Sequence, residues 1–115
     1  MTGVDPTPES AGDLLDQVLN PLLDDFAASF ERGLLLLQDC PERLLSLAAQ
    51  LSLESRLLEA RAELRAARAL RAATPAPMAL DMATIAPWHQ LLVEVWSLSS
   101  SLRAAGINPG TERND

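Results

Sequence analysis

Leu15, Leu19, Leu22, Phe26, Phe30, Leu34 and Leu37 recur at steps of four, three, four, four, four and three residues. That spacing keeps the large apolar side chains on one face of a helix and on no single face of a strand. A run of this length commits the chain to helix-on-helix packing, because an amphipathic helix must bury its stripe against another element. Asp13, Asp24 and Glu31 lie nearly opposite the stripe and predict an acidic outer face. Pro21 interrupts the run. An interior proline removes a backbone hydrogen bond at a cost of about 3 kcal/mol. The stripe keeps its phase across Pro21, so a kink is expected in preference to a restart with Asn20 as cap.

The rest of the chain agrees. Leucine and alanine dominate, tyrosine is absent, and valine, isoleucine and threonine are scarce, a balance that favours helix over pleated sheet. Ser10, with Asp13 three residues on, reads as the N-cap of the first helix. The "DCPERLL" stretch at 39–45 reads as a stop and restart, with Asp39 or Cys40 as cap and Pro41 in the first turn of a short helix ending near Gln50. Ser52 offers a further cap for a helix from Leu53 to Ala73, whose stripe is Leu53, Leu57, Ala60, Leu64 and Ala67, before "TPAP" breaks it. A last helix starts at Pro77 or at Pro87 and runs to Ala105, with Gly106 as left-handed cap and Ile107 folding back on the final turn. The expected fold is all-α: an antiparallel up-down-up bundle of three long helices with a short helical elbow. It occupies residues 10–106 as a single domain, between flexible tails at 1–9 and 107–115.

Charge narrows the partners. Nine arginines, no lysine and sixteen acids leave a net charge of −7, which repels a phosphate backbone and argues against nucleic acid. The single cysteine, Cys40, excludes an internal disulfide and fits a reducing compartment. The first residues lack the basic and apolar regions of a signal peptide, and the longest aliphatic run, Leu34 to Leu37, is far short of a membrane span. The reading is a soluble cytoplasmic protein with no membrane insertion. A homodimer and a peripheral seat on a membrane complex are both compatible with it.

No catalytic, metal or cofactor motif stands out. Acid–base chemistry needs two titratable groups brought together, and His89, the sole histidine, has no local serine, cysteine or aspartate arranged with it. A thiol at a helix start can become reactive, but Asp39 and Glu42 beside Cys40 oppose that. One histidine and one distant cysteine give no metal-ligand spacing. The chain is therefore expected not to be an enzyme and to hold no cofactor. The alternative is a bundle in which His89 ligates a tetrapyrrole between helices, with the tryptophans as walls.

Binding surfaces are more legible. On a helical wheel Ile85, Leu91, Leu92, Val95, Leu98 and Leu102 gather around Trp88, which makes Trp88 a core residue. Trp96, His89, Val93 and Arg103 form a second, flanking face with the composition of a protein-binding hot spot. "LLLL" at 34–37 wraps leucine around a full turn, so Leu35 and Leu36 are expected to point away from the stripe and to need a cover. Arg61, Arg65 and Arg68 share a strip without an acid three or four residues away. Residues 1–42 carry nine acids and one arginine, whereas 43–75 carry three acids and six arginines. The strip is thus expected to complement the acidic first helix, the alternative being a second docking surface for an acidic partner.

"VLNPLLDDFAASFERG" and "PWHQLLVEVW" resemble the signature segments of a family of small cyanobacterial proteins of unknown function, typified by Pro-Leu-Leu near the start and Pro-Trp-His-Gln later. The resemblance covers most of residues 14–102. It implies a cyanobacterial source and brings no catalytic residue or cofactor with it. The function expected from the residues is that of a protein–protein adaptor or assembly factor, the identity of its partner left open.

Overall fold

The computed structural model describes residues 8–73 and 82–107. Three helices account for nearly all of them: α1 (Pro8–Gln38), α2 (Leu47–Ala73) and α3 (Met82–Ala104), with no strand among the described residues. Helix α1 begins at Pro8, a residue suited to the first turn because it has no N–H to leave unpaired. Ser10 therefore lies inside the helix and not at the N-cap position expected of it. Pro21 and Pro87 are both carried within continuous helices, so neither divides its element. Both are exposed. A start of α3 at Pro77 falls outside the described residues, as do residues 1–7 and 108–115 of the expected tails.

The expected elbow helix at 41–50 does not form. Asp39 to Ser46 make turns, in which the N–H groups of Leu44 and Leu45 both reach the Pro41 carbonyl at 3.1 and 3.3 Å. Helix α2 starts at Leu47, capped by the Ser46 hydroxyl, which accepts from the Ala49 N–H at 3.2 Å. Ser46 thus takes the role expected of Ser52. The Gln50 side-chain amide donates to the carbonyls of Cys40 at 3.0 Å and Leu45 at 2.8 Å, tying the turn to the first turn of α2. At the other end, Gly106 has φ 80°. Ile107 N–H bonds the Leu102 carbonyl at 2.8 Å and Gly106 N–H that of Arg103 at 3.0 Å. This is the Schellman closure that the sequence predicts, and Ile107 packs against the core.

Helix α1 is the shared wall: it packs along both α2 and α3, which meet each other more sparingly. The core comprises Leu19, Leu23, Phe26, Phe30 and Leu36 of α1, Leu53, Leu57, Ala60 and Leu64 of α2, and Trp88, Leu91, Val95, Leu98 and Leu102 of α3. The α2 and α3 stripes are the expected ones. In α1 the inward face is turned: Leu23 replaces Leu22, which is exposed, and Leu36 is 1% exposed although its place in the run points it outward. The cause is Gly33. A Cβ built there would lie 2.7 Å from Val95 Cγ2 and 2.9 Å from Leu57 Cδ1, so both neighbours close on the bare α-carbon. The inward positions become 19, 23, 26, 30, 33 and 36, a spacing near 3.5 that suits near-parallel packing of helices.

Replacing Gly33 by alanine gains up to about 1 kcal/mol of helix propensity but forces a methyl into a β-branched neighbour that is itself buried, at a cost of about 1–3 kcal/mol. Urea unfolding of Gly33→Ala should therefore show a net loss of up to about 2 kcal/mol. Adding Val95→Ala should cost less than it does in the parent chain. A Gly33→Ala protein more stable than the parent would contradict the close approach.

Candidate functional site

Trp88 and Trp96 stand eight positions apart on α3 and meet different environments. Trp88 is 1% exposed, edge-on to Phe26 at a centroid distance of 5.7 Å, and its indole N–H donates to Glu63 Oε1 of α2 at 3.1 Å. Burial of a large ring with its one donor satisfied is the arrangement of a core residue. Trp96 is 60% exposed, and His89, Val93 and Arg103 are exposed as well. Positions 89, 93, 96 and 103 follow steps of four, three and seven, which places them along one side of a helix. The Arg103 guanidinium donates to the Ser99 hydroxyl at 2.9 Å, which holds it beside the Trp96 turn. All four expected members of this face are brought to the surface together.

Leu35 is 54% exposed, as expected. Leu36 does not join it, and its expected role as an uncovered contact is corrected by its place in the core. Leu35 instead helps to line a groove of about 440 Å³ between α1 and α2, with Leu34, Leu47, Leu51 and Leu58, edged by Glu54 and Arg61. Leu47, Leu51 and Leu58 are all exposed. Their spacing of four and seven is visible in the sequence, but a helix start at Leu53 hides it.

The arginine strip divides. Arg61 pairs with Glu31 at 3.0 Å, and Arg68 pairs with Asp24. Arg71 adds a pair with Asp16. Asp24 and Glu31, expected on an outer face of α1, therefore line its flank toward α2, and the complementarity expected between the two helices holds for Arg61 and Arg68. Arg65 has no partner among the described residues. Between α2 and α3, Arg56 grips Glu94 through both nitrogens at 2.8 and 3.1 Å, and that hydrogen-bonded carboxylate raises the guanidinium pKa above its ordinary value.

Chemistry-bearing groups stay apart. Cys40 is half-buried in the turn after α1, and burial pushes its thiol pKa up, the opposite of the activation a nucleophile needs. No group of three or more ligand side chains that could hold a metal occurs among the described residues. His89 lies on the outer face of α3. The cleft of about 320 Å³ beside Trp88 is lined by Arg56, Glu59, Glu63, Gln90 and Glu94 among others, and His89 is not one of them. The interhelical seat that a tetrapyrrole on His89 would need is not formed by this cleft.

A three-helix, all-α bundle with a closed core and an aromatic face left in water is the class that these features define. The chain belongs to the family described as "Protein of unknown function (DUF2605)", whose model matches residues 9–104. No curated protein and no solved structure matches it. The matched span runs from the first turn of α1 to the last of α3. No described helix is long and apolar enough to cross a membrane.

The Arg61–Glu31 and Arg68–Asp24 pairs are open to water, so each should contribute little and be screened by salt. Arg61→Gln and Arg68→Gln should each lower unfolding stability by about 0.2–1 kcal/mol at low ionic strength. The difference should vanish near 1 M salt, which a urea titration at two salt concentrations would read. Losses that persist in high salt would mean that the pairs do not act through charge.

Proposed function

We propose that this chain is a non-enzymatic helical protein that works by binding another protein, as an adaptor or assembly factor, through the exposed face of α3. The observation that carries this reading is Trp96, 60% exposed on a helix whose core face is already complete with Trp88. A tryptophan held in water on a rigid helix costs solubility and contributes nothing to the closed core. Beside an exposed histidine, valine and arginine, it offers a large apolar body with polar edges to a partner. The proposed contacts are Trp96, His89, Val93 and Arg103, with Leu35 on a separate surface formed by α1 and α2. The proposed site of action is the cytoplasm, where the lone thiol of Cys40 stays reduced. The cyanobacterial setting implied by the sequence resemblance makes such cells the natural source of the partner.

A photo-crosslinking residue placed at Val93 in the native host should capture a discrete partner, and the same residue at Asp25, on the outer side of α1, should not. With that partner purified, Trp96→Ala should weaken binding by about 2 kcal/mol, close to thirtyfold, and leave the melting temperature unchanged. Binding that survives the substitution at full strength would refute the α3 face.

A further inference from the structure

The flank of α2 that borders the α1 groove and is turned away from α3 is complementary to itself. Leu47, Leu51, Glu54, Leu58, Arg65, Ala69 and Ala72 share it at helical spacing, and all are exposed. Its first half carries the large side chains and its second half the small ones. Glu54 and Arg65 have no ion-pair partner among the described residues, whereas Arg61 and Arg68 are drawn onto α1 by Glu31 and Asp24. Two neutralised arginines thus leave one acid and one base on this flank, eleven residues or about 16 Å apart along the axis.

We propose that a second copy of this chain docks here, its α2 lying antiparallel to the first across a two-fold axis at the level of Glu59 and Ala60. In an antiparallel pair, positions whose numbers add to a constant face each other. With the sum at 119, Glu54 meets Arg65 of the other copy and Arg65 meets its Glu54, so each lone charge is answered twice by symmetry. The same register sets Leu47 opposite Ala72, large against small, and sets Leu51 and Leu58 against the aliphatic stems of Arg68 and Arg61, whose charged heads are drawn onto α1. Any shift that set Glu54 against itself would place like charges together.

The groove of about 440 Å³ between α1 and α2 receives the incoming helix, with Leu35 and Leu34 of α1 forming its second wall. A contact running the length of α2, about 40 Å, and two helix widths across, about 20 Å, covers about 800 Å² per copy, the size of a stable interface. The surface is formed by α1 and α2, so the dimer leaves the Trp96 face of α3 free. Self-association and partner binding through α3 are therefore independent of each other.

Sedimentation equilibrium on the full chain should give twice the chain mass at micromolar concentration. Glu54→Arg alone and Arg65→Glu alone should each weaken self-association at least tenfold, because each sets two like pairs across the axis. The double variant, Glu54→Arg with Arg65→Glu, should restore it to within about threefold of the parent. Both side chains are exposed, so far-UV circular dichroism should show folded helices throughout. A parent chain that stays monomeric up to millimolar concentration would hand the groove to a different protein and overturn the proposal. A dimer indifferent to the single reversals, or one not restored by the double exchange, would overturn it equally.

Discussion

The approach of Leu57 and Val95 to the bare α-carbon of Gly33 sets the geometry on which the other contacts depend. Glycine inside a helix costs about 1 kcal/mol relative to alanine, so its place in the middle of α1 calls for a packing reason. The reason is that two helices close on α1 at one level. A methyl group on that α-carbon would stand 2.7 Å from Val95 Cγ2 and 2.9 Å from Leu57 Cδ1, so both neighbours would have to give way to admit it. With α2 and α3 pinned there, the antiparallel pairs Arg61–Glu31 and Arg68–Asp24 fall into step on one side of α1. The neighbours Phe26 and Trp88 fall into step on the other.

That register also decides which surface remains. Val95 sits over Gly33, and Trp88 lies seven residues earlier on the same side, so both are consumed by the core. Trp96 is the next residue after Val95 and is therefore turned about 100° away from it. The exposed face of α3 is thus a consequence of how the bundle is pinned, and it is presented on a rigid element and not on a loop. Rigidity favours binding, because little conformational freedom is left to lose when a partner arrives.

Much of this is legible in the sequence wherever local periodicity is the signal. The helical class, the α2 and α3 stripes, the sorting of Trp88 from Trp96 and the closure at Gly106 all follow from spacing and side-chain chemistry within a few residues. The α1 face differs by one notch from the face that spacing predicts. Leucines at both 22 and 23 and at all of 34–37 satisfy several phases at once, and only the packing at Gly33 selects among them. Counting Gly33 as a contact of zero size, and not as a gap in the stripe, gives 19, 23, 26, 30, 33 and so turns Leu36 inward. The start of α2 is ambiguous in the sequence because Ser46 and Ser52 are equal as caps. The Gln50 amide bonds to Cys40 and Leu45 favour the earlier one, and such side-chain closures do not show in a pattern. Pairs such as Trp88 with Glu63 and Arg56 with Glu94 join residues 25 and 38 positions apart and belong to tertiary structure alone.

Helix α3 spends one side on the fold and keeps the other in water. Acrylamide quenching of two single-tryptophan proteins, Trp96→Phe and Trp88→Phe, reads both sides directly. The protein retaining Trp88 should emit at short wavelength and resist the quencher, whereas the one retaining Trp96 should emit near the position of free indole in water and be quenched several times more steeply. Equal protection of the two tryptophans in folded chain of established mass would contradict that division of α3.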